Sequence, residues 1–251
     1  MSVPSKALPS AGARQLRRDD VTAQILRIGR AHLAEHGAAA LSLRAVTREL
    51  GMVSSAVYRY VSSRDELLTL LVVDGYTDLA DAVAAAVANS AETPWSARIL
   101  AAANAVRDWA LSEPARYALL YGSPVPGYAA PPEQTTEPGT RVMRTLLTLV
   151  EEGVAVGDIV NGAGAVPLRS GLRADLATVA GELNLDVDPA VLARAVMLWS
   201  VLIGAVSLEV FGQYGQDTFA EPRLLFEHQV ASAVIALTGR GSVGDGDAHR
   251  R

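Results

Sequence analysis

From Gly51 to Leu68 the chain reads GMVSSAVYRYVSSRDELL, with short hydroxyl side chains followed by two tyrosines and two arginines. Ser54, Ser55 and Ala56 are small enough to let backbone and side chain approach the edge of a base pair. Serine hydroxyls donate or accept hydrogen bonds there, and Ala56 can touch a thymine methyl. Tyr58, Tyr60 and Arg64 are long enough to reach phosphates on either side, and Arg59 suits either role. Arg44, upstream, can project to a groove edge, where bidentate contact to guanine is the commonest specific pairing. The chemistry on offer is recognition of double-stranded DNA. The plain alternative is a short helical hairpin with a solvated polar face.

These side chains need rigid elements to aim them. An apolar stripe at Ile25, Ile28, Gly29, His32 and Leu33 marks a helix from about Asp20 to His36, which Gly37 stops. Ser42 caps a short helix ending near Leu50, with Val46 and Leu50 turned inward. Gly51 permits a tight turn, and a third helix covers Ser54 to Tyr60. Helix, glycine turn and helix make a helix-turn-helix, whose second helix enters the major groove. Ser63 and Glu66 form a capping box that opens a long helix from Arg64 to about Ala88.

Further helices are expected at 94–111, 114–121, 138–152, 171–184, 189–213 and 218–238, with Pro94, Pro114, Pro189 and Pro222 at or near their starts. Residues 122–138 are proline-rich and read as an extended loop, and 153–167 as a glycine-rich one. The fold class is therefore all-α. A flexible basic arm (1–18) carrying Arg14, Arg17 and Arg18 precedes a helix-turn-helix domain (19–64). A larger helical domain (65–238) and an aperiodic tail (239–251) follow.

Charge agrees with this division. Residues 1–64 hold ten basic and four acidic side chains, a net of +6, while the rest of the chain carries −11. An anionic partner is expected for the first quarter alone. The chain has no cysteine, which excludes disulfides, thiolate metal sites and cysteine nucleophiles. No uninterrupted apolar run reaches the roughly 18 residues of a membrane span, and the N-terminus lacks the apolar region of a signal peptide. A cytoplasmic protein is expected.

From ILRIGRAHLAEHG through LSLRAVTRELGMVSSAVYRYVSSRDELL, residues 20–68 resemble the N-terminal domain of the TetR-like family of bacterial transcriptional regulators. Within 51–68, Tyr58, the aromatic Tyr60, a basic residue and the Leu67–Leu68 pair stand in the family's register. His32 and Arg64 replace the usual leucine and lysine, and Val53 replaces a small polar residue. Beyond the head, YGSPVPGY (121–128) and LWSVLIGAVSLEVFGQYG (198–215) are similar to a subgroup with a proline-rich loop and a tryptophan–glycine helix. The resemblance implies a one-component repressor without cofactor or catalytic residues, which a small ligand releases from its operator. A homodimer is expected through residues 189–213 and 218–238, because AVLARAVMLWSVLIGAVSLEVFG is too apolar for the surface of a monomer.

Candidate ligand contacts are Trp109, Tyr117, Tyr121, Met143 and Trp199, with Asn104, and beside it Arg107 and Asp108, as polar anchors. The helix over 65–88 would transmit ligand binding to the head as a lever. His32 and His36 have helical metal-site spacing but no further ligand candidates, so a packed histidine is favoured. The glycines at 153–164 lack the G-K-[ST] ending of a phosphate loop, and Ser123 lies outside any nucleophile motif. The competing class is a helical small-molecule carrier or enzyme that does not bind DNA.

Overall fold

The computed structural model describes residues 11–162, 166–215 and 217–239. Among these, the chain forms ten α-helices and a single 3-10 turn (Ala38–Ala40). The helices are α1 (Ala11–His36), α2 (Leu43–Glu49), α3 (Ser54–Val57), α4 (Arg64–Asn89) and α5 (Trp95–Ser112). They continue as α6 (Pro114–Tyr121), α7 (Pro132–Ala155), α8 (Ser170–Glu182), α9 (Pro189–Val210) and α10 (Pro222–Leu237).

Several ends follow from the residues that cap them. The Ser42 side chain accepts from the Ala45 N–H, and Asp188 does the same for Ala190 at the start of α9. Pro114, Pro189 and Pro222 each open a helix where the missing N–H leaves no bond unmade. At the start of α4, Ser63 Oγ accepts from Glu66 N–H at 3.0 Å. The Glu66 carboxylate reaches back one residue further than a capping box requires and takes both the N–H and the hydroxyl of Ser62 at 2.6 Å.

Three expectations are revised. α1 begins at Ala11, so Arg14, Arg17 and Arg18 stand on a helix and not on an extended arm; residues 1–10 lie outside the described set. The expected loop at 122–138 ends early, because Pro132 starts α7 and Pro138 is carried inside it. A proline six residues into a helix forfeits a hydrogen bond and crowds the preceding turn, yet the Pro131 carbonyl accepts from both Gln134 and Thr135 and sets the first turn. The last two helices are shorter than their apolar stretches. Phe211 closes α9 with Gly212 in the left-handed region beyond it, and α10 waits for Pro222. The tail from residue 240 lies outside the described residues.

The chain divides into two compact units. The first takes residues up to Thr77 together with Glu113–Pro138, and the second takes Asp78–Ser112 and Gly139 onward. The sequence boundary after residue 64 therefore differs from the physical one, since α6 and the segment after it belong with α1–α3. In the first unit Ile25, Ile28, Leu43, Val46, Val57, Val61 and Leu67 form a buried core. Leu119, Val125 and Tyr128 pack onto it. Asp74 of α4 ties this unit together: it accepts from Nε of Arg30 at 2.8 Å and from Nη2 of Arg116 at 2.9 Å.

In the second unit α9 packs on α10, α8 and α5. Its interior includes Ile99, Val106, Leu198, Leu202, Phe226 and Val230. The buried Arg107 of α5 makes a two-pronged ion pair with Glu209 of α9. Counting uninterrupted apolar runs passes over α9, which by length and composition is apolar enough to cross a membrane. Here it is a packing helix, with 44% of that stretch buried inside the unit.

Candidate nucleic-acid interface

The candidate reading residues sit on the first unit, and burial sorts them. After α2, Gly51 turns the chain with φ 66, a conformation that costs little only without a Cβ. Met52 then packs on the core while Val53 stands in solvent. Val57 and Val61 are fully buried and fix the rotation of the α3 segment. That rotation leaves Ser55, Tyr58 and Arg59 exposed, with Ala56 half-buried. The helical turn continues to Val61 through the Tyr60 N–H and Val61 N–H, which both donate to the Val57 carbonyl. Ser54 opens the helix by its backbone. Arg44 projects from the first turn of α2 and is exposed.

Two assignments change. Tyr60 packs against the core of the unit and is half-buried, so it is less free to reach a phosphate than the exposed Tyr58. Arg64 is occupied: Nε donates to Leu41 O at 3.1 Å, and Nη2 to Ala38 O and Ala39 O at 3.0 and 3.1 Å. Its guanidinium holds the 3-10 turn in front of α2 and thereby positions Arg44. Spacing identified a cation near the groove but not the three carbonyls that claim it. Arg48, one turn beyond Arg44 on the same helix, is also exposed. Its i, i+4 relation to Arg44 was the available signal.

A depression of about 300 Å³ separates these groups, lined by Ser42, Arg44, Tyr58, Ser62, Ser63 and Arg64. Its lining of hydroxyls and guanidinium groups suits a phosphate oxygen. Hydrogen bonds from Ser62 hold the Glu66 carboxyl below the usual carboxylate range, so it stays ionised and keeps the α4 start in place.

The six candidate ligand contacts are divided between the two units. Tyr117 and Tyr121 lie in the first with Tyr76; the ring centroids of Tyr121 are 5.1 Å from Tyr117 and 6.0 Å from Tyr76. Burial pushes the Tyr76 and Tyr121 hydroxyls up, so both stay neutral. Asn104, Trp109, Met143 and Trp199 belong to the second unit. Trp109 donates its indole N–H to Asp78 at 3.1 Å. Asn104 is engaged on both sides of its amide, donating to Glu227 at 3.1 Å and accepting from Arg223 at 3.0 Å. It joins α5 to α10 alongside the Arg223–Asp108 ion pair, so its polar atoms already serve the fold. His32 donates or accepts at 2.9 Å with Glu49, a packing contact between α1 and α2. Among the described residues no cluster of three or more metal-ligating side chains occurs.

Residues 25–71 match the family model described as "Bacterial regulatory proteins, tetR family", and residues 99–233 that of "Tetracyclin repressor-like, C-terminal domain". The HTH-type transcriptional regulator Rv1816 of Mycobacterium tuberculosis is 48% identical over 228 residues, covering 90% of this chain and 96% of the relative. The chain belongs to the TetR family. The HTH-type transcriptional regulator Mb1846 of Mycobacterium bovis matches this TetR-family protein to the same extent. A solved structure, "Crystal structure of putative regulatory protein SCO4313", shares the fold with TM-score 0.70 and 32% identity, over 90% of this chain and 99% of that one. The TetR-family chain is accordingly a transcriptional regulator and not an enzyme.

Proposed function

We propose that this regulator is a repressor that binds an inverted-repeat operator as a homodimer and leaves it when a small apolar ligand binds. The observation that carries the DNA reading is the sorting of the α3 segment. Val57 and Val61 are buried to the last atom, while Ser55, Tyr58 and Arg59 are exposed beside Arg44. Apolar anchoring on one side and hydroxyl and guanidinium groups on the other is what groove recognition asks of a short helix.

Dimerisation draws support from α9 and α10. They leave an open groove of about 630 Å³ whose lining includes Met197, Gly204, Ala205, Leu208, His228 and Ala233. Val196 and Ile235 are exposed nearby on the same two helices. A two-fold partner laying its own α9 and α10 there completes a four-helix bundle. Two heads then address half-sites about 34–36 Å apart. Ligand release rests on family membership and on large side chains of the second unit, with the buried Trp109 and the half-buried Met143 and Trp199 as the lining candidates. Operator and ligand each weaken the other by one coupling free energy, typically about 1–3 kcal/mol.

Fluorescence anisotropy on the DNA upstream of the protein's own gene, with and without a panel of lipophilic compounds, tests the reading. Salt-sensitive binding that a compound relieves supports it. Failure to bind any upstream DNA refutes the repressor reading, and tighter binding with ligand makes the compound a corepressor.

A further inference from the structure

Val53 breaks a local rule with no return to the fold. A helix start favours a side chain that accepts an N–H from the first turn. Ser42 does so for α2, and Ser63 for α4. At α3 the Val53 carbonyl accepts from the Ala56 N–H at 2.8 Å, so Val53 occupies the corresponding place, but its side chain has no acceptor. Nor does it contribute to the core. Met52, its neighbour, packs inward, whereas Val53 is 72% exposed. A β-branched apolar side chain in water at a helix start that it cannot cap is a liability for stability alone, and such departures from local consistency concentrate at functional positions.

Its surroundings say which function. Val53 immediately precedes the segment that leaves Ser55, Tyr58 and Arg59 exposed. The first residues of a recognition helix are those that meet base edges. Hydroxyls and guanidinium groups there address the donors and acceptors of the groove. The one apolar group that a standard base pair presents in the major groove is the C5 methyl of thymine. An isopropyl group matches that methyl and nothing else on the base edge.

We infer that Val53 is a specificity-determining residue that packs on the C5 methyl of a thymine in each operator half-site. This inference rests on the DNA-binding reading above. Contact of this kind contributes selectivity without a hydrogen bond, and it accounts for an apolar side chain where a serine would have served the helix better.

The full-length protein and its Val53→Ser and Val53→Ala variants are titrated by anisotropy against an operator selected from a random-sequence duplex pool. Each thymine of a half-site is replaced in turn by deoxyuridine, which removes only the methyl. For the wild type, one replacement per half-site should weaken binding roughly fourfold, the factor that corresponds to burial of one methyl-sized group. Val53→Ser should be insensitive at that position and respond like wild type at every other. Val53→Ser should also melt no lower than wild type, since it restores a capping acceptor at an exposed site, whereas a purely structural Val53 would lose stability. Tight, selective operator binding without any thymine that distinguishes wild type from Val53→Ser overturns the inference and leaves the DNA-binding reading intact. Absence of selective binding to any duplex overturns both.

Discussion

Asp74→Ala removes a carboxylate of α4 that bonds to both α1 and α6. The Asp74 side chain is 13% exposed and that of its partner Arg116 only 4%. Deleting one member of a buried ion pair generally costs about 3–5 kcal/mol, because the other charge stays in a poorly solvated place. The lower end applies here. Arg116 keeps a bond to the Asp74 backbone carbonyl at 3.3 Å, and Glu113 stands 3.8 Å away. Arg30 is 42% exposed and regains water, so its own loss adds little. A destabilisation of about 3 kcal/mol lowers the melting temperature of a chain this size by roughly 6–12 °C. Circular dichroism at constant pH measures it, with Asp74→Ala/Arg116→Met as the companion. Removing both charges should recover at least half of the loss, since the cost lies in a buried guanidinium that has lost its Asp74 carboxylate. If Asp74→Ala melts within about 2 °C of wild type, or the double variant melts lower still, the assignment of Asp74 as the tie between these helices is wrong.

Arg44→Ala is expected to cost about 1–3 kcal/mol on the cognate operator and to relax selectivity at one base pair. Tyr58→Phe should instead weaken binding on every duplex alike; titrations at several salt concentrations separate the two. Gly204→Arg probes the dimer. A Cβ at Gly204 meets nothing within 4 Å in its own protomer, so the root of a new side chain fits there and the long arginine reaches into the groove a partner would fill. Light scattering should show monomers, and a persistent dimer would move the interface elsewhere. Glu66→Gln addresses acid sensitivity. The folded-state pKa of Glu66 lies below its unfolded value, so its contribution is present above the ordinary glutamate range and is lost as pH falls through the depressed value. Between those limits wild type should lose stability that the Gln variant never had, as read from melts at stepped pH.

Much of the head was legible because its signals are local. Ser42, Gly51 and the Ser63–Glu66 pair each determine backbone geometry within three residues, and the buried positions of α1–α3 follow helical period. What escaped the sequence was long-range partnership. Arg64 looks like a phosphate ligand until three carbonyls from residues 38–41 are found around it. Asn104 looks like a pocket anchor until Glu227 and Arg223, more than a hundred positions away, occupy its amide. Pro138 reads as the boundary between a loop and a helix because proline is disfavoured in a helix interior, yet α7 starts at Pro132 and carries it inside. The ligand candidates were chosen by residue type, and type says nothing about which compact unit a tyrosine joins.

The head is written in two pieces of chain, and this bears on how it is made and moved. Tyr128 shares a hydrogen bond with Thr69 at 3.0 Å, and Leu120 lies where a Cβ on Gly75 would touch it at 3.3 Å. Neither partner exists when residue 77 leaves the ribosome. The nascent α1–α4 segment must wait, with that surface bare, until residues 113–138 emerge. Closing the intervening stretch of 78–112 is not the obstacle, because loop entropy grows only logarithmically with length. The delay matters to anyone transplanting the reading head. A graft cut after the fourth helix carries the candidate DNA-reading residues but omits α6 and its loop, so it inherits the letters of recognition without the frame that holds them. A transferable module has to include both pieces, joined by a linker that replaces residues 78–112.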